Sequence, residues 1–115
     1  MKSDRRHLLD LLNYLEAVKT FTAEGKDAFV TDRKTQYAVI RAYEVIGEIA
    51  KRLSDDLRDA HPEANWQQLI NFRDFLAHNY ERILLQNMWA AVEDLPQLQA
   101  AVEAVIRSLP DDETT

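Results

Sequence analysis

Residues 73–80 of this chain read Arg-Asp-Phe-Leu-Ala-His-Asn-Tyr, which places an arginine, a histidine and a tyrosine close together. Arginine suits a phosphate because its planar guanidinium offers several N–H donors and keeps its charge. Histidine exchanges a proton near neutral pH, and tyrosine carries a hydroxyl that can be modified. The surrounding residues look like a core helix. Trp66, Leu69, Leu76 and Tyr80 recur at 3/4 spacing, and the position that completes the stripe is Arg73. Burying a guanidinium without a partner is costly. Either Arg73 reaches past the core to an acidic residue on the preceding long helix, such as Glu44 or Glu48, or the stripe faces a polar cleft that receives an anion.

His78 stands five residues after Arg73, about 140° around an ideal helix, so the two would not share a face. They converge only if the helix ends near Ala77 or if a second subunit supplies one of them. Taken alone, a histidine there is a partner for the helix C-terminal dipole, and Tyr80 is a packing residue with its hydroxyl in water. Met88 and Trp89 read as core. Arg5-Arg6, Arg33-Lys34 and Lys51-Arg52 are short basic pairs that ordinarily form solvated faces, though one of them could rim an anion cleft. His7 and His61 have no ligand-like spacing to His78, so no metal site is expected.

The elements that must position these residues are helical. Four periodic stretches stand out, with no strand-like alternation of useful length. The first runs over about residues 3–23, with Leu8, Leu11, Leu15 and Val18 as its stripe and Gly25 as a stop. The second opens at Thr31 or Asp32 and continues to about Leu57. Its apolar positions Val39, Tyr43, Ile46, Ala50, Leu53 and Leu57 predict one long helix in an antiparallel bundle. Residues 60–64 form a loop around Pro62. Asn65 with Gln68 reads as a capping box that opens a third helix over 66–77. The last begins at Gln86 or Asn87, with Met88, Val92, Leu95, Leu98, Val102, Val105 and Leu109 on its apolar face. Pro96 should kink or restart it, with Asp94 as a local cap.

The 115 residues amount to one domain, residues 1–109, followed by an acidic tail at 110–115. There is no cysteine, hence no disulfide framework or thiolate metal site. No apolar run suggests a signal peptide or membrane span, so a cytoplasmic protein is the expectation. The net charge of −6 argues against broad, non-specific nucleic-acid binding but leaves room for a small basic cleft. The two glycines stand alone, so there is no Gly-rich phosphate loop and no cofactor is expected.

In combination these features resemble the HEPN superfamily, specifically the HepT-like toxins. The string Arg73-x4-His78-x-Tyr80 is similar to the family's motif. Residues 46–51, Ile-Gly-Glu-Ile-Ala-Lys, resemble its second-helix signature. Pro62 followed by Trp66 resembles the lead-in to the motif helix, and Trp89 followed by Asp94-Leu95-Pro96 resembles the final segment. Together they span roughly residues 5–108. Asp74 stands where many relatives carry asparagine, which adds a negative charge beside the motif arginine.

The resemblance implies an all-α antiparallel HEPN bundle of four to five helices that forms homodimers, with the two motifs facing each other across a cleft. It implies a metal-independent ribonuclease toxin. Arg73 and His78 would be catalytic, and Asp74, Asn79 and Glu48 would support the cleft. The implied partner is a minimal nucleotidyltransferase antitoxin that neutralises the toxin by transferring AMP to Tyr80. The alternative is a non-catalytic HEPN module that binds this nucleotidyltransferase or presents its substrate. A purely structural bundle would leave the arginine in the apolar stripe without a role.

Overall fold

The computed structural model describes residues 2–79, 83 and 85–110. The described residues are all-α: α1 (Asp4–Phe21), α2 (Lys26–Thr31), α3 (Arg33–Arg52), α4 (Asp55–Ala60), a short 3-10 turn (Pro62–Ala64), α5 (Trp66–His78) and α6 (Leu85–Ser108). The molecule is elongated, 46 × 27 × 25 Å. α3 lies between α1 and α5, and α6 packs against α1 and the 3-10 turn. Tyr80, proposed from the sequence as the modified residue, lies outside the described residues, as does most of the acidic tail.

Local chemistry explains the element ends. Ser3 caps α1 by accepting from the Arg6 amide at 3.1 Å, and Asp32 caps α3 by accepting from the Lys34 amide at 3.1 Å. The long helix expected from Asp32 to Leu57 is instead two. It stops at Arg52, Leu53 takes an extended conformation, and Ser54 caps α4 through its hydroxyl to the Leu57 amide. Asp4 fixes this corner by accepting from both the Ser54 amide, at 2.9 Å, and its hydroxyl. Leu53 and Leu57 are both buried, so the apolar rhythm continues across the corner although the helix does not.

Asn65 also departs from expectation. It adopts a left-handed conformation at the end of the 3-10 turn (φ 53°) and makes no side-chain cap bond. Asparagine tolerates that region. Its amide donates to the Gln68 side chain at 2.6 Å rather than forming a capping box with the backbone. α6 passes through Pro96 as one helix instead of restarting there.

The core is apolar throughout, with no buried polar or charged residue among those described. α1 contributes Leu8, Leu11, Leu15 and Val18 at the expected spacing. α5 buries Trp66, Ile70 and Leu76, with Leu69 and Phe72 only half-buried, so its stripe is rotated slightly from the expected one. No described helix is long and apolar enough to cross a membrane.

Candidate active site

The site is built on the seam between α3 and α5. These helices run antiparallel: Asp55, just past the end of α3, lines one small cavity together with Trp66 and Gln67 at the start of α5. Gly47 sets how closely they approach. A Cβ there would overlap the Arg73 Cβ and lie 2.8 Å from the Leu69 carbonyl oxygen. The stem of Arg73 thus rests where any side chain at position 47 would have to be.

This resolves the charged position in the apolar stripe. Arg73 is half-buried, its stem covers the seam, and its guanidinium emerges at the rim. Nε sits 3.4 Å from Glu48 Oε2, and Nη1 donates to Asp74 Oδ1 at 3.0 Å. Glu48, rather than Glu44, is the acidic partner. Glu48 also lies 4.0 Å from Arg52 Nη2, of the basic pair Lys51-Arg52. Glu48 Oε2 is buried and accepts no hydrogen bond among the described residues. Arg52 and Arg73 therefore balance Glu48 and Asp74, and the cluster carries no net positive charge of its own.

His78 is the last residue of α5 and is exposed. Its Nδ1–H donates to the backbone carbonyl of Asp74 at 2.7 Å. This bond assigns the proton to Nδ1 in the neutral ring and leaves the Nε2 lone pair facing outward. Asn79 ends the helix by donating from both its backbone and side-chain amides to the Phe75 carbonyl, at 2.9 and 3.0 Å. That is a helix-terminating role.

α5 stays helical through His78, so one of the two routes to convergence is closed. Within one chain Arg73 and His78 stand about 140° apart around the axis and about 7.5 Å apart along it. Asp74 links them, its carboxylate on Arg73 and its carbonyl on His78. Both lie on the Glu48 side of the seam; the opposite side is marked by Tyr43 against Phe72, ring centroids 5.4 Å apart.

On that opposite side, α5 and α6 leave a groove of about 630 Å³ lined by Gln68, Phe72, Asn87, Ala91 and Asp94. Tyr43 closes its floor, donating to the Ala91 carbonyl at 3.1 Å. Burial, and secondarily the Asp94 carboxylate, push the Tyr43 phenol well above its ordinary pKa, so it is a fixed donor and not a proton carrier. No three His, Asp or Glu side chains among the described residues are grouped to hold a metal.

Residues 11–105 match the family described as Ribonuclease HepT-like. The chain belongs to this family. Among its relatives, the "Probable ribonuclease HepT" of Thermococcus cleftensis is 38% identical over 104 residues, covering 89% of this chain and 94% of that protein. Two Methanocaldococcus jannaschii proteins bearing RNase names are 34% and 30% identical, each over at least 90% of both chains. No solved structure matches at comparable strength. Membership agrees with the all-α HEPN bundle. The described residues form six α-helices and one 3-10 turn where four to five helices were expected, because α2 (Lys26–Thr31) fills a stretch left without a helix and Leu53–Ser54 break what the periodicity ran together. Sequence reasoning missed the mechanical part of Gly47. Its signal was a glycine between two apolar stripe positions, where a helix ordinarily avoids one.

Proposed function

We propose that the protein is a metal-independent endoribonuclease whose active cleft is made by two copies of the chain. The observation that carries this is the tie from His78 Nδ1 to the Asp74 carbonyl, which presents Nε2 outward on a face that Arg73 of the same chain does not share. A second copy related by a twofold axis supplies the missing partner.

In the proposed reaction the RNA 2′-hydroxyl attacks the neighbouring phosphorus. Nε2 of His78 takes the 2′ proton, the P–O5′ bond breaks, and water protonates the departing 5′-oxygen. The products are a 2′,3′-cyclic phosphate and a 5′-hydroxyl. Arg73 uses the N–H donors not occupied by Glu48 and Asp74 to bind the non-bridging oxygens as their charge grows. Glu48 holds the guanidinium at the rim, Asp74 orients both catalytic groups, and Asn79 fixes the chain as it leaves the site.

The biological role proposed is the toxin of a two-gene module. The partner is a minimal nucleotidyltransferase that transfers AMP to Tyr80, placing bulk and negative charge beside the cleft, where they repel RNA. A second proposal, a non-catalytic module that binds this nucleotidyltransferase, is favoured by the two carboxylates that neutralise Arg73. Incubation of purified protein with RNA in EDTA decides between them. Cleavage leaving cyclic-phosphate ends, lost in His78→Ala, is expected of the ribonuclease. Intact RNA at every protein concentration would favour the binding module.

A further inference from the structure

The face of α3 that bears Glu48 continues towards the helix N-terminus through Arg41, Tyr37 and Lys34. These stand seven, eleven and fourteen residues before Glu48, so all lie within about 40° of it around the axis. Arg33, Lys34, Tyr37 and Arg41 are all exposed. Arg41 makes no ion pair with any described residue. Tyr37 is 60% exposed, and its own helix holds it: Arg33 Nη2 donates to its hydroxyl at 2.8 Å, with the guanidinium carbon 5.6 Å from the ring centre. The acidic groups nearby are Glu44, half-buried between Arg41 and Glu48, and Asp32, already committed to the Lys34 amide and the Thr35 hydroxyl.

The antiparallel packing gives this stripe its place. From Glu48 to Arg41 is about 10.5 Å along α3, and from Arg73 to His78 is about 7.5 Å along α5 in the same direction. Arg41 is therefore level with His78 to within about 3 Å along the bundle, on the His78 side of the seam, and Tyr37 lies one turn beyond. A solvated basic face needs no aromatic ring, and a tyrosine with most of its surface in water gains little from burial. A strand-binding surface needs both features: cations that follow the phosphates and a ring on which a base can stack. The balanced charges around Arg73 leave phosphates beyond the scissile one without a cation, and Arg41 is the next one along.

We propose that Arg41 and Tyr37 form the track on which single-stranded RNA leaves the cleft. Arg41 takes a phosphate next to the scissile one, and Tyr37 stacks the following base. Arg33 holds the ring ready, so little side-chain freedom is lost on binding. The track rests on the ribonuclease reading above and extends it: the preferred substrate is an unpaired strand, recognised without regard to base identity.

The test compares wild type with Arg41→Ala, Arg41→Gln, Tyr37→Ala and Tyr37→Phe, on a dinucleotide and on a long single-stranded oligoribonucleotide. Folding is monitored by thermal melts. On the long strand Tyr37→Ala should raise KM about tenfold with kcat kept, and Tyr37→Phe should stay near wild type because the ring remains. Arg41→Ala and Arg41→Gln should raise KM and lower the salt dependence of log KM by about 0.7 per decade of salt. On the dinucleotide all variants should match wild type. Unchanged KM on the long strand overturns the track while leaving the ribonuclease intact, and equal losses on both substrates overturn it by placing these residues in the chemistry. A Tyr37→Ala variant that changes oligomeric mass with KM unchanged assigns this face to a contact between copies and overturns it too. Wild type that cleaves neither substrate overturns the ribonuclease reading itself, and the track with it.

Discussion

The imidazole of His78 is fixed by the residue one helical turn before it, donating through Nδ1 to the Asp74 backbone carbonyl at 2.7 Å. Because the acceptor is backbone, the orientation of His78 does not depend on the Asp74 side chain. That side chain instead holds Arg73, at 3.0 Å. Asp74→Asn should therefore keep the histidine in place while removing a negative charge that competes with RNA phosphate. The expected outcome is a lower KM for RNA by up to about fivefold, the scale of one exposed ion pair, with kcat little changed. Steady-state kinetics checks it; a large fall in kcat would mean that the carboxylate takes part in the chemistry.

His78→Ala should reduce cleavage by about 10²–10⁴-fold. The ring is exposed, so stability should change by no more than about 0.5 kcal/mol. Arg73→Lys should retain only a small fraction of wild-type activity, because an ammonium cannot span Glu48, Asp74 and a phosphate together. Single-turnover rates and parallel melts separate these effects from unfolding.

Gly47→Ala should destabilise the fold by about 1–3 kcal/mol, the usual range for an added carbon in a packed seam. The atoms it meets are the Arg73 stem and the Leu69 carbonyl, so the relaxation falls on the catalytic arginine. Urea titration should show the loss of stability, and activity should fall further than the folded fraction explains. A Gly47→Ala protein with wild-type stability would show that the helices do not meet there.

Tyr80→Phe should keep most of the ribonuclease activity and escape neutralisation, because the hydroxyl is proposed as the acceptor of AMP and not as a proton donor. Intact mass after incubation with the nucleotidyltransferase and ATP should show AMP added to wild type and not to this variant. Full covalent modification of Tyr80→Phe would place the acceptor elsewhere.

Much of this architecture can be read from the chain because apolar spacing reports burial directly: Leu8, Leu11, Leu15 and Val18 form one stripe in both sequence and structure. The same signal misled at Leu53 and Leu57. Both are buried, but Ser54 with two aspartates behind it is an N-cap and an acidic first turn, and that chemistry overrides the rhythm. Asn65 shows the reverse: the cap residues are present, but the preceding 3-10 turn demands a left-handed residue and uses the asparagine for it. At the site, Arg73 could be recognised as a misfit in an apolar stripe. Its support by Gly47 showed only as a lone glycine inside a helix, because the close approach itself is a property of two helices.

The central claim is that one working cleft takes residues from two chains. The most direct measurement mixes Arg73→Ala and His78→Ala proteins, each inactive alone, under conditions that exchange subunits, and follows RNA cleavage. A mixed dimer keeps one Arg73 and one His78 on different chains. Activity should appear on mixing, rise with the fraction of mixed dimer and vanish on dilution below the dimer dissociation constant. Two inactive variants that remain inactive after exchange, with mixed dimers demonstrated by native mass spectrometry, would contradict the composite site.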